Sequence, residues 1–234
     1  MQQGNSAAFH SEGCGQRSRR EARQGDWYCI ATGPSLSVGD ARKARQAAKE
    51  SGGKVIAIND NYRHPELIDS DYLYACDKAW WTIHYDRVKE VFKGELWTQY
   101  HNDDTKRFAD KMGINAIEGK GGTGLGKGFV YHGSNSGHQA INLAYHLATT
   151  VYGEHPRIFL LGYDMGATGQ THWFGDHPKN LTNGNHAGFV PQFTRIAEDL
   201  ERAGVECINL TRQTKLTQFP RSTIDDYSRI HSEQ

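Results

Sequence analysis

Short apolar runs alternate with amphipathic stretches along most of the chain, and each change of period marks an element. "DWYCIAT" (26–32) is an apolar run closed by the turn residues "GPSLS", which predicts a first strand ending in a tight loop. "DARKARQAAKESGG" (40–53) carries an alanine stripe at 41, 44, 47 and 48, with Asp40 placed to cap the helix and Gly52 to stop it. "KVIAIN" (54–59) is apolar on both faces, as strands inside a parallel sheet are. "DYLYACD" (71–77) is a third candidate strand, weaker helices are expected at 86–92 and 104–112, and "GFVYHGS" (128–134) predicts another strand. Ala140, Ile141, Ala144, Leu147, Ala148 and Val151 then fall on one helical face. "RIFLLGYD" (157–164) is a strand of the fully buried type. "PQFTRIAEDLERAG" (191–204) is a helix with Phe193, Ile196, Ala197 and Leu200 inward and Gly204 as its stop, and "VECINL" (205–210) is a last strand. Strand and helix alternating without a repeat unit predict an α/β, Rossmann-like domain: a mostly parallel sheet with helices on both faces.

Residues 1–25 are rich in Gly, Ser, Gln and Arg and nearly free of apolar side chains. Such a segment buries too little surface to offset its ordering entropy, so it is expected to be a disordered or loosely docked tail before a single domain at 26–234. The 234 residues carry 27 basic and 27 acidic side chains, a balance that offers nucleic acid no broad electrostatic footprint. No apolar run reaches membrane-spanning length and the N-terminus lacks a signal-peptide core, so a cytoplasmic location in a bacterial or phage-infected cell is expected, with no membrane partner. Cys14, Cys29, Cys76 and Cys207 are widely spaced, which fits reduced thiols better than disulfides or a zinc site.

Ligands of open parallel sheets bind outside the carboxyl ends of the strands, so the chemistry belongs in the loops that follow them. "TGPSL" (32–36) supplies backbone N–H groups and hydroxyls suited to an anion, or serves as an ordinary turn. "GSNSG" (133–137) stands just before a strong helix, where Ser134 or Ser136 either meets an anion or caps the helix. "GGTGLGKG" (121–128) nearly spells a phosphate-binding loop, but Gly128 occupies the position of the magnesium-binding hydroxyl and a strand follows; it reads as a flexible glycine-rich loop that could cover a site. Trp80 and Trp81 sit among charged residues, one expected in the core and the other exposed, where it could stack on a base or sugar. The loop "GYDMGATGQTHWFGDHP" (162–178) ends a central strand on Asp164, placed to meet a ribose hydroxyl or a metal ion. It then presents His172 and His177, each able to act as a general base near neutral pH or to serve the loop structurally.

"ATGPSL", "AIND", "GSNSGHQAINLAYHL" and "IFLLGYDM", in this order and spacing over about residues 27–220, resemble a superfamily of Rossmann-like proteins. It includes bacterial CMP-sialic-acid transferases, flagellin-modifying motility accessory factors and 6-hydroxymethyl-dihydropterin diphosphokinases, with short members in bacteriophages and prophages. The resemblance implies a nucleotide held by Gly33, Pro34, Ser35, Asn59, Ser134, Ser136, Gly137 and Asp164, with His172 as leading base and His177 as second. Thr32 departs from the Asn or Gly that usually precedes "GPSL" in that superfamily. Three functions follow as expectations. The first is a transferase with a nucleotide-activated donor, most simply a CMP- or UDP-linked sugar, with the acceptor undefined and a modified nucleic-acid base one candidate. The second is a Mg-ATP-dependent diphosphokinase of a pterin-like molecule, in which Asp77 and Asp164 would hold magnesium. The third is a non-catalytic nucleotide-binding or virion-associated phage protein.

Overall fold

Each apolar run becomes a strand of one sheet. The computed structural model describes residues 24–177, 181 and 186–227, the side chains of 186 and 187 excepted. Its strands are β1 (Gln24–Ile30), β2 (Lys54–Ile58), β3 (Tyr72–Tyr74), β4 (Glu95–Tyr100), β5 (Asn115–Lys120), β6 (Phe129–Tyr131), β7 (His155–Leu161) and β8 (Glu206–Asn209). All pair in parallel, in the order β6-β5-β4-β3-β2-β1-β7-β8. The chain therefore runs outward from β1 to β6, crosses back, and places β7 on the other side of β1. The carboxyl ends of β1 and β7 form the switch point at which open α/β sheets bind ligands.

The helices are α1 (Val38–Ser51), α2 (Lys78–Val91), α3 (Asp103–Met112), α4 (Ser136–His146), the single turn α5 (His186–Phe189) and α6 (Phe193–Arg202). α4 continues as a π-helical turn over Leu147–Tyr152. Ala41, Ala44 and Ala48 of α1, Trp80, Trp81 and Val88 of α2 and Ala109 of α3 cover one face of the sheet. Ala140, Ile141 and Ala144 of α4 with Phe193, Ile196 and Leu200 of α6 cover the other. Alternate residues of β1 serve the two layers: Trp27 and Cys29 pack under α4 and α6, Tyr28 and Ile30 under α1 and α2. The α/β Rossmann-like fold with helices on both faces is the one the periodicity predicts.

Several local expectations are corrected. Ser37, not Asp40, caps α1: its Oγ accepts from the Asp40 amide at 3.1 Å and donates to Asp40 Oδ2 at 2.8 Å. Asp40 sits inside the first turn, buried, where Arg212 grips both carboxylate oxygens and ties the segment after β8 to α1. Gly52 and Gly204 close their helices in left-handed geometry as expected. α2 begins at Lys78, eight residues ahead of the expected helix, and it buries both tryptophans. Trp80 Nε1 donates to Asp60 Oδ2 at 2.9 Å and Trp81 Nε1 to the Ala75 carbonyl at 2.9 Å, so neither presents a stacking face to solvent.

The loop at 121–128 is not a loose lid. The Gly126 amide donates to Asn142 Oδ1 at 2.7 Å, Asn142 Nδ2 returns a bond to the Gly124 carbonyl, and the Leu125 amide donates to Asp199 of α6. β1 starts at Gln24, inside the stretch expected to be a tail; residues 1–23, which hold the rest of that expectation and Cys14, lie outside the described residues. Cys29, Cys76 and Cys207 carry free thiols, as their spacing predicts. No helix among the described residues is long and apolar enough to cross a membrane.

Candidate functional site

A cleft of about 540 Å³ opens at the carboxyl ends of the strands, above the β1–β7 switch point. Gly33, Asn59, Ser134, Ser136, Gly137, Asp77, Asp164, His172 and His177 all line it, so residues up to 144 positions apart in sequence meet in one place. Pro34 and Ser35 stand one step behind. They form the turn closed by the Leu36 amide on the Gly33 carbonyl at 3.0 Å, and the Ser35 amide donates to Asp164 Oδ2 at 2.8 Å.

The backbone of the cleft is strained where it meets the ligand space. Asn59 (φ 50°), Ser134 (φ 60°) and Met165 (φ 51°) are the described non-glycine residues in left-handed conformation, and all three line the cleft. Such conformations cost on the order of 1–3 kcal/mol each and concentrate at functional sites. Gly33 has a steric reason: a Cβ there would lie 2.0 Å from Asp164 Oδ1 and 2.4 Å from the Gly162 carbonyl oxygen. Only a glycine lets the first loop close on the end of β7.

Asp164 is 2% exposed, and its Oδ1 has no hydrogen-bond partner among the described residues. Burial pushes its carboxyl pKa above the ordinary carboxylate value, against the opposing bonds from Ser35. A buried acceptor held in a ligand cleft without a protein donor is what a ribose hydroxyl would satisfy. Across the cleft, α4 is capped by neither candidate serine. Asn135 does this by accepting from the His138 amide at 2.8 Å, which releases Ser134 and Ser136. Ser136 Oγ instead donates to Cys76 Sγ at 3.2 Å, and burial raises the Cys76 thiol pKa, keeping it protonated. The N-terminal end of α4, with Ser136 and Gly137 in its first turn, faces the same space and carries the positive end of the helix dipole.

The two histidines are held by different means. His172 Nδ1 lies 2.8 Å from Thr32 Oγ1, and its ring stacks on Phe174 with centroids 4.9 Å apart and planes 2° apart. The Trp173 amide donates to the Thr32 carbonyl at 3.0 Å, which ties the histidine loop to the first loop a second time. His177 Nδ1 is 3.7 Å from the buried carboxylate of Asp60, and its ring centroid is 4.5 Å from that of His172. Two adjacent imidazoles therefore line the cleft, one beside a hydroxyl and the other beside a carboxylate, an arrangement able to accept a proton near neutral pH.

Sequence reasoning missed half of the cleft. Cys76, Gln99, His101, His132 and Gln139 also line it, from the ends of β3, β4 and β6 and from α4. Gln99, inside "ELWTQY" (95–100), and His101, just after it, belong to a strand and loop that no periodicity announced: apolar Leu96 and Trp97 are adjacent and followed by polar Thr98 and Gln99, so no period of two stands out. Asp77 and Asp164 both line the cleft, while among the described residues no group of three or more His, Cys, Asp or Glu side chains is clustered to hold a metal ion.

No family model matches the sequence, and neither does any curated protein. Among solved structures, the fold is similar to that of the MAf glycosyltransferase from Magnetospirillum magneticum AMB-1, with a TM-score of 0.55 and 11% identity over 92% of this chain and 37% of that one. The chain thus spans little more than a third of that protein's length, and at this identity the likeness is one of fold.

Proposed function

We propose that the protein is a transferase that moves a sugar from a nucleotide-activated donor to an acceptor hydroxyl, with His172 as general base and His177 as its neighbour. The observation that carries this reading is the convergence of Gly33, Asn59, Ser134–Gly137, Asp164 and the Thr32-anchored His172 on one cleft. The fold likeness to a glycosyltransferase supports it. In the reaction the acceptor O–H gives its proton to the imidazole, its oxygen bonds to the anomeric carbon, and the bond from that carbon to the phosphate oxygen breaks. The nucleotide leaves with the electron pair.

The described residues that line the cleft include no Lys or Arg. Neutralisation of the leaving phosphate therefore falls to the N-terminus of α4 and to protonated histidine. Such a cleft suits a single phosphate better than a diphosphate, which favours a CMP-linked over a UDP-linked donor.

Thermal denaturation with CMP, UDP, GDP and ATP, each with magnesium and with EDTA, tests the reading. A ligand at a hundredfold excess over its Kd stabilises the folded state by about 2.7 kcal/mol. Stabilisation by CMP that survives EDTA is the expected result. A response confined to Mg-ATP would replace the reading with diphosphoryl transfer using Asp77 and Asp164. Silence across all nucleotides would remove the donor site, leaving a role without nucleotide chemistry.

A further inference from the structure

The cleft extends past everything the donor reading uses. Beyond Ser136 it continues over the ends of β3, β4 and β6, where Gln99, His101 and His132 form its wall. Two polar atoms there, Gln99 Oε1 and His132 Nε2, are shielded from solvent and have no hydrogen-bond partner among the described residues. A sheltered acceptor or donor left unpaired costs on the order of 1–3 kcal/mol, so native structures rarely keep two side by side without use.

The two atoms are side by side because of Gly119. A Cβ on that residue would lie 2.2 Å from Gln99 Oε1 and 2.8 Å from His132 Nε2, so the glycine of β5 is what lets both side chains close over the strand. Each is also fixed from behind. Gln99 Nε2 donates to the Cys76 carbonyl at 3.4 Å, Gln139 Nε2 donates to the His132 carbonyl at 2.8 Å, and the His132 and His101 rings meet edge to face at 6.2 Å.

We infer that this half of the cleft is an acceptor subsite for an uncharged, hydroxyl-rich ligand, a neutral saccharide, with one hydroxyl lodged between Gln99 and His132. A hydroxyl is the group that serves both at once: it donates its proton to Gln99 Oε1 while accepting from His132 Nε2–H. Burial, with His101 beside it, pushes the His132 pKa below the ordinary value, so the ring is neutral at pH 7 and gives no cation to an anionic ligand. Among the described residues that line this half, Asp77 is the carboxylate, and it would repel an anion. The assignment of the ligand as acceptor rests on the donor reading above; the subsite itself rests on Gln99, His132 and Gly119.

Saturation-transfer NMR on the full chain separates the two. The probes are methyl galactoside, methyl glucoside and methyl N-acetylglucosaminide, against glucuronate and glucose 6-phosphate, with and without CMP. At least one neutral glycoside receives saturation, at least tenfold more than either anionic sugar. Gln99→Met and His132→Gln each remove that transfer while the melting temperature and the CMP response stay those of the parent protein. The two substitutions change different hydrogen-bonding groups at similar volume, so loss in one folded variant suffices. Transfer that persists in both variants, or goes equally to anionic sugars, overturns the subsite, as does absence of transfer to any glycoside. Glycoside transfer that depends on Gln99 and His132 in a protein silent to CMP sustains the subsite and overturns the donor reading alone.

Discussion

The hydroxyl of Thr32 lies 2.8 Å from Nδ1 of His172, across 140 positions of sequence. Thr32 opens the first loop at the switch point, and its side chain and its carbonyl both reach the histidine loop. In the tautomer in which Thr32 accepts from Nδ1–H, the unprotonated ring nitrogen is Nε2, and in the proposed reaction Thr32 would thereby set which nitrogen of His172 takes the acceptor proton. The flat stack on Phe174 holds the ring plane, and the Trp173 amide bond to the Thr32 carbonyl holds the loop.

Thr32→Val keeps the shape of the side chain and removes the bond. Donor turnover should fall by roughly one to two orders of magnitude, less than the roughly 10²–10⁴-fold of general-base catalysis because the imidazole itself is kept, while CMP affinity changes little. Thr32→Ser should restore most of the rate. A steady-state comparison of kcat and KM decides the point: a change in KM alone would assign Thr32 to binding rather than to positioning His172.

Gly33→Ala should fail for a reason visible in the distances. Its methyl would meet Asp164 Oδ1 at 2.0 Å and the Gly162 carbonyl at 2.4 Å, both just past the end of β7. Overpacking of this kind costs about 1–3 kcal/mol, and displacing the loop also moves Thr32 and His172. The expected outcome is a lowered melting temperature together with lost nucleotide stabilisation. A variant with parental stability and binding would show that the close approach of the two loops is dispensable.

The buried carboxylate of Asp164 should oppose stability while serving the site. Its pKa is raised by burial, so folding is favoured when the group is protonated, and stability gained from it increases as pH falls through that raised value. Asp164→Asn should therefore raise the melting temperature at pH 7.5, by on the order of 1 kcal/mol of stability, with the gap closing as the pH is lowered. The same change should weaken nucleotide binding at least tenfold. A pH series of melting curves with and without CMP measures both effects, and a destabilised variant at pH 7.5 would reverse the assignment.

The architecture was legible in the sequence because its central strands are apolar on both faces. "WYCI", "VIAI" and "IFLL" leave little alternative to buried parallel strands, and the Gly and Ser turns after them mark the switch point. β4 and β5 were not legible. They lie toward the sheet edge, their exposure alternates or is partial, and "NAIEGK" contributes a single fully apolar buried side chain, Ile117. Gln99 and His101 were lost with β4, and His132 was passed over as part of a short strand. The Asp40 misassignment has a different cause: Ser37 and Asp40 are three residues apart and both suit an N-cap, and the bond from Arg212, 172 residues away, is what makes Asp40 an interior anchor. The expectation that one of Trp80 and Trp81 lies in the core and the other in solvent fails because α2 turns both into one core, where they bond Asp60 and the Ala75 carbonyl.

Acid should unfold this protein early, and His138 is the main reason. The ring is fully buried between the 121–128 loop and α6, with Nδ1 3.3 Å from the Tyr131 carbonyl and Nε2 accepting from the Gly124 amide at 3.4 Å. It meets Phe193 edge-on at 5.6 Å. Burial lowers its pKa to about 4 from an ordinary 6.5. Below pH 6.5 the unfolded chain takes up a proton that the folded chain refuses, so stability is lost progressively as the pH falls from about 6.5 towards about 4, by on the order of 3 kcal/mol at about 1.4 kcal/mol per pKa unit. Burial shifts His64, His84, His132 and His146 in the same direction, which adds to the slope. Melting temperatures between pH 7.5 and 4.5 should therefore drop steeply below pH 6.5. His138→Gln, which retains a donor and an acceptor but cannot titrate, should start lower at pH 7.5 and fall less. Parallel curves for the two proteins would show that the proton is taken up elsewhere and that the imidazole at 138 is not what makes the fold acid-sensitive.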